Sequence, residues 1–262
     1  MADPISRWSR TELLIAFHLY CQTSFGKMHK GNPEIIRIAK LIGRTPSSVA
    51  MKLVNFASLD PAITSTGRTG LGNASKGDQA IWSEFHADWE QLALESKAVL
   101  DGLSRDAGLS SDDSGNLASD VIAGYEGVTK SVMTEVRVKQ SFFRKAVLTG
   151  YQNRCCISGV QERKLLIASH IIPWSEDKRN RLNPRNGLCL SALHDRAFDQ
   201  GLITITPDFR IQVSKKLKLQ RDNPMLNSAI VEAQGKLIVL PEKFIPSEEF
   251  LSWHNKHRFE RI

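Results

Sequence analysis

Residues 164–203 read KLLIASHIIPWSEDKRNRLNPRNGLCLSALHDRAFDQGLI. The run 164–172 is mostly apolar and is stopped by Pro173, which reads as a strand carrying His170 near its end. Polar residues follow as far as Pro184, and Asn186-Gly187 is a turn signal. The spacing then predicts a helix over 188–198 carrying His194. Two short strands, 202–206 and 209–213, flank Pro207-Asp208 as a hairpin. The order is strand, loop, asparagine, helix, with one histidine on each regular element and Asn186 between them.

Upstream of this stretch, residues 132–149 read as a helix with Arg137, Lys139, Arg144 and Lys145 on a basic face. A turn follows at Cys155-Cys156-Ile157-Ser158-Gly159. Before the helix lies an acidic Ser/Gly/Asp-rich stretch, placed at 100–131. It lacks the apolar content for a core and reads as a linker. Residues 1–99 read as a separate helical domain. Ser9-Arg10-Thr11-Glu12 is a capping box ahead of a helix that buries Leu13, Leu14, Phe17, Tyr20 and Cys21. A second helix spans 34–41 and ends at Gly43. Thr45-Pro46 restarts a third as N-cap and first helical residue. That pair is a helix-turn-helix candidate, in which Ser47, Ser48, Lys52 and Asn55 form the polar face available to DNA. Residues 62–80 read as a loop, and an amphipathic helix from 81 to 94 puts Trp82, Phe85 and Trp89 in the core. The overall expectation is an α+β chain, with domains at 1–99 and 132–262 joined by the linker.

The chain has 262 residues and a formal net charge of +7. The excess is local: residues 132–262 carry net +9, the linker net −4 and residues 1–97 net +2. Basic groups concentrated on one half fit a polyanionic partner. No apolar run approaches the ~20 residues of a membrane helix, and the apolar run near the N-terminus lacks a cleavage site, so a cytoplasmic setting is expected. Four cysteines without a CxxC pair argue against a disulfide scaffold and against structural zinc. No small-molecule cofactor is evident.

Three blocks of text carry a resemblance: Ser169-His170-Ile171-Ile172-Pro173-Trp174, then Pro184-Arg185-Asn186-Gly187-Leu188-Cys189-Leu190, then Leu193-His194-Asp195-Arg196-Ala197-Phe198-Asp199-Gln200-Gly201-Leu202-Ile203. Together they resemble the His-Asn-His (HNH) endonucleases of the ββα-metal fold, and most closely the restriction-endonuclease-like bacterial branch. The likeness spans about residues 135–258. It implies hydrolysis of DNA phosphodiester bonds with one divalent cation, Mg2+ or Mn2+, leaving a 5′ phosphate and a 3′ hydroxyl. By resemblance His170 is the general base, Asn186 a positioner or weak metal ligand, and His194 the main metal ligand. Many relatives place Asp just before the base histidine. Here that position is Ser169, a poor ligand for a hard cation, so a carboxylate from elsewhere is wanted: Asp199 first, Asp195 in reserve. Arg196, Arg137 and Arg144 are candidates for the DNA backbone. The resemblance also suggests restriction or defence against foreign DNA, and a homodimer as one way to cut both strands. The alternative is a DNA-binding regulator or specificity subunit with an inactive HNH module. An RNA nuclease or RNA-binding protein is the third reading.

Overall fold

Ser9 starts the first helix by the reciprocal bonds its sequence implies. Its Oγ accepts from Glu12 N at 3.2 Å, and Glu12 Oε2 accepts from Ser9 N at 2.7 Å. The computed structural model describes residues 7–67, 74–108 and 130–260. It divides into two compact units at residues 145/146, each treated below by itself.

In the first unit, α1 (Arg10–Cys21) is buried nearly all round rather than along one stripe. It is the central helix, packed against α3, α5 and α6. Helix α2 (Pro33–Leu41) is capped by Asn32, and α3 (Pro46–Ala57) by Thr45, whose Oγ1 accepts from Ser48 N at 3.2 Å. Gly43 between them has φ +68°, a left-handed turn that suits glycine. The segment read as a loop over 62–80 is partly helical. It holds most of α4 (Pro61–Thr64) and the start of α5 (Lys76–Ala87), which has a second capping box, Ser75 with Asp78. Residues 68–73 of that segment lie outside the described residues. The helix expected over 81–94 is two helices. Asp88 leaves helical geometry (φ −146°, ψ 87°) and caps α6 (Trp89–Asp106) through its Oδ1. Phe85 and Trp89 are buried, while Trp82 is only partly so and stacks on His86 at 4.1 Å. Helix α6 runs into the stretch read as a linker, and the rest of that stretch, 109–129, lies outside the described residues. Helix α7 (Lys130–Gly150) crosses the unit boundary.

One recognition residue is corrected here. Lys52 does not face outward. Its Nζ reaches both Asp78 carboxylate oxygens, at 2.8 and 3.1 Å, and lies 5.1 Å from the Trp8 ring centroid. The cause is the close packing of α3 on α5, where a buried carboxylate needs a cation. Asn55 is likewise buried. Ser47 remains exposed and Ser48 partly so.

In the second unit, β1 (Leu166–His170) pairs antiparallel with β2 (Gly187–Ser191), matching Leu166 with Ser191 and His170 with Gly187. Helix α8 (Ala192–Asp199) follows and packs on both strands. The helix expected over 188–198 is therefore half strand. Leu188, Cys189 and Leu190 are all buried, and a continuous apolar run fits either element. Pairing with β1 settles it as a strand, and Ser191 adopts extended geometry at the helix start. The hairpin is present as β3 (Ile203–Ile205) and β4 (Ile211–Val213). Helices α9 (Lys215–Lys218), α10 (Pro224–Ala229) and α11 (Glu248–His257) complete the unit. Gly201, with φ +63°, ends the α8 turn, and a Cβ there would stand 2.1 Å from the Arg258 carbonyl oxygen. The architecture is α+β: a helical N-terminal region followed by a ββα unit. No helix among the described residues is long and apolar enough to cross a membrane. None of the four cysteines is in a disulfide, and all are buried.

Replacing Lys52 by Ala leaves the Asp78 carboxylate buried and unpaired, which should destabilise the helical unit by about 3–5 kcal/mol. The double change Lys52→Met with Asp78→Leu should cost less, and thermal unfolding followed by circular dichroism measures both.

Candidate active site

His170 stands at the end of β1. Its Nε2 lies 2.8 Å from the Arg181 carbonyl oxygen. A carbonyl can only accept, so Nε2 carries the proton and Nδ1 is the acceptor nitrogen of the ring. Burial pushes the imidazole down to about 4, against the smaller opposing effect of the Arg181 bond. The ring is thus neutral at pH 7, the form a general base needs. Trp174 meets it edge-on at 5.6 Å between centroids, and the Arg181 guanidinium lies 5.1 Å from the Trp174 ring centroid.

The loop that supplies this carbonyl is held by amides. Asn186 is fully buried. Its Oδ1 accepts from Ile172 N at 2.8 Å, and its Nδ2 donates to the Ile172 and Asn180 carbonyls at 3.0 and 3.3 Å. Asp177 accepts from the Arg179 and Asn180 amides, each at 3.0 Å, and from Asn180 Nδ2 at 2.8 Å. Asn183 Nδ2 donates to Asn180 Oδ1 at 3.1 Å. These bonds fix the turn that carries Arg181. They also occupy both polar atoms of Asn186, which corrects its expected part as a metal ligand: its geometry is that of a loop brace.

Helix α8 presents two faces. On one, His194 is only 2% exposed. Its Nε2 donates to the Ala229 carbonyl at 2.9 Å, and its Nδ1 lies 2.7 Å from the Ser191 Oγ. The Cys155 sulfur lies 3.8 Å from the same Nδ1. Burial alone would lower the His194 pKa, but the contacts with Cys155 and Ala229 outweigh it and raise it. Burial likewise opposes ionisation of Cys155, and the bonds from His194 and Ser158 bring its thiol down to about 6. Both His194 nitrogens are committed inside the fold, so the expectation that His194 turns toward the metal is not met. A surface cleft of about 360 Å3 opens on this side. Its lining includes Ser191, His194 and Leu237, but not His170, Asp195 or Asp199.

The other face carries Asp195 and Asp199, one helical turn apart. Burial raises the Asp195 pKa, with Ser169 and Arg196 opposing. Desolvation and then the Asp195 charge push Asp199 up to about 6, with Arg196 and Arg258 opposing. Ser169, next to His170 on the strand, is buried, and its Oγ closes no hydrogen bond of good geometry among the described residues. Its influence on the Asp195 pKa places it close to that carboxylate. Among the described residues no three His, Cys, Asp or Glu side chains converge as a metal cluster. Two carboxylates one helical turn apart, with the Ser169 hydroxyl close to one of them, offer only oxygen donors. That suits a hard cation such as Mg2+ or Mn2+, whose charge would relieve the repulsion.

Of the other predicted residues, Arg196 is exposed on α8 beside the carboxylates. Arg137 is exposed and Arg144 partly buried, and both lie on the part of α7 that belongs to the first unit, not to the unit carrying His170. Sequence reasoning missed the Arg181 carbonyl. A signal for its loop existed in the three-residue spacing of Asp177, Asn180, Asn183 and Asn186.

Residues 155–206 match the family model of the HNH endonucleases. That span takes in β1, the braced loop, β2 and α8, so this part of the chain is an HNH endonuclease domain. No curated protein matches the chain.

A histidine buried neutral binds its proton more weakly folded than unfolded, so its contribution is complete above about 6.5 and is lost as pH falls toward 4. Asp199, raised when folded, acts with the opposite sign, so the test is a difference between proteins. Between pH 6.5 and 4.5 the wild-type protein should lose stability more steeply than His170→Gln, by up to about 1.4 kcal/mol per pH unit. Urea unfolding across that range measures the gap, and parallel curves would contradict it.

Proposed function

We propose that the chain is a metal-dependent endonuclease that hydrolyses DNA phosphodiester bonds. The observation that supports this reading is a carbonyl-oriented, neutral His170 next in the chain to Ser169, whose hydroxyl acts on the Asp195 carboxylate of α8, with Asp199 one turn further on. In this reading His170 Nδ1 takes a proton from the attacking water, while the Arg181 carbonyl keeps the ring in the required tautomer. Asp195 and Asp199 are the residues that would hold one divalent cation, Mg2+ or Mn2+, with the Ser169 hydroxyl as a further oxygen. When bound, that ion would neutralise charge developing on the phosphate and stabilise the leaving oxygen. Arg196 offers an exposed cation to the backbone on the same helix. A part in restriction or in defence against foreign DNA, a cytoplasmic setting and a homodimer follow from the resemblance and the sequence alone. One observation favours a second reading, a DNA-binding regulator with a silent module: the residue before His170 is Ser169 rather than a carboxylate.

Supercoiled plasmid incubated with the full chain separates the two. Cleavage should need Mg2+ or Mn2+ and stop with EDTA. His170→Ala should lower the rate by about 10²–10⁴-fold, the usual share of a general base, with DNA affinity retained. Full cleavage by His170→Ala would overturn the assignment of the base, and absence of cleavage by the wild-type chain with either metal would favour the silent module.

A further inference from the structure

Arg258 closes α11 from a position 59 residues beyond Asp199 in the chain, yet the fold seats it at the site. Its backbone is fixed there. Arg258 N donates to the His254 carbonyl at 2.9 Å, and Glu260 N donates to the Gly201 carbonyl at 3.0 Å. The space beside Gly201, two residues after Asp199, is filled by the Arg258 carbonyl. The His254 ring beneath it stacks on Phe198 at 3.7 Å, accepts from the Thr204 hydroxyl at Nδ1 (2.8 Å), and donates from Nε2 to the Phe198 carbonyl (3.2 Å). The end of α11 is thereby tied to the end of α8.

From this anchored backbone the guanidinium reaches the other wall of the site. Its NH2 nitrogen lies 3.5 Å from Glu176 Oε1, on the loop that follows His170, with the two side chains 39% and 50% exposed. It also lies near enough to Asp199 to favour the charged carboxylate. Arg258 therefore stands between the base-carrying loop and the carboxylate-carrying helix. A single-contact, exposed ion pair of this kind is weak and screened by solvent, whereas a phosphate offers a guanidinium two parallel hydrogen bonds.

We propose that Arg258 grips a backbone phosphate of the nucleic-acid substrate at the active site, and that Glu176 holds the guanidinium across the site until the phosphate displaces it. The inference rests on the nuclease reading above and names the residue by which that site takes hold of its polyanionic substrate.

Two readouts on the full chain test it: single-turnover cleavage of a duplex oligonucleotide with Mg2+, and salt-dependent binding of that duplex followed by fluorescence anisotropy in EDTA. Arg258→Ala should slow cleavage by about 10–100-fold and reduce the slope of log affinity against log salt by about 0.9, the loss of one phosphate contact. Arg258→Lys should recover part of the affinity, which a folding defect would not allow. Glu176→Gln should tighten binding by about two- to tenfold. If Arg258→Ala stays within twofold of wild type in both rate and affinity, or if Glu176→Gln weakens binding, the proposal is overturned. A wild-type chain that binds but does not cut would sink the nuclease reading. Arg258→Ala would still decide the contact, since an unchanged salt slope rejects it and a reduced one supports it.

Discussion

The side chain of Asn186 is the constraint on which the ββα unit depends. A buried amide must satisfy its donors and acceptor inside the protein, and this one does so on Ile172 and Asn180. Those bonds tie the start of the β1–β2 loop to its far end. The loop then has one shape, and that shape delivers the Arg181 carbonyl to His170 Nε2. A buried asparagine side chain thereby helps fix the tautomer of a ring it does not itself touch in the bonds it makes. The Asp177, Asn180 and Asn183 bonds extend the same logic through the loop. They consume the Asp177 acceptors within the turn and leave Lys178 and Arg179 exposed on its outer side.

The two faces of α8 divide structure from chemistry. His194 looks inward, bonded at both nitrogens, and welds the helix start to Ser191 and to Ala229 at the end of α10. Asp195 and Asp199 look the other way: burial and then the Asp195 charge raise the proton affinity of Asp199, and burial raises that of Asp195 against the pull of Ser169 and Arg196. Like charge on two carboxylates, Asp195 partly buried and Asp199 exposed, is a poor way to stabilise a fold and would suit a cation. The basic excess of this half of the chain, read from the sequence as a footing for polyanions, includes Arg196 beside those carboxylates and Arg258 between them and the His170 loop.

What was legible in the sequence was local. The Ser9–Glu12 capping box, the Thr45-Pro46 start, the strand ending at His170 and the Pro207-Asp208 hairpin each declare themselves within a few residues. What was not legible depended on partners distant in the chain. Leu188–Leu190 is apolar enough for helix or strand, and only β1 decides. Lys52 reads as a polar helix face until Asp78, 26 residues away, is known to lie against it. The misplaced start of α8 hid its two faces. Without the strand at 187–191 the helix has no known orientation, and nothing local to the sequence shows that His194 and the Asp195–Asp199 pair lie on different faces. That Asp195 and Asp199 share one face of α8 follows only once the helix is known to start at Ala192.

Where a divalent cation binds decides between the two faces of α8. Crystals of the full chain soaked in Mn2+ and measured at the manganese absorption edge would locate it without any assay. The prediction is an anomalous peak between the Asp195 and Asp199 carboxylates, beside Ser169, that disappears in Asp195→Asn with Asp199→Asn. A peak on His194 instead, or none between the carboxylates at saturating Mn2+, would contradict it.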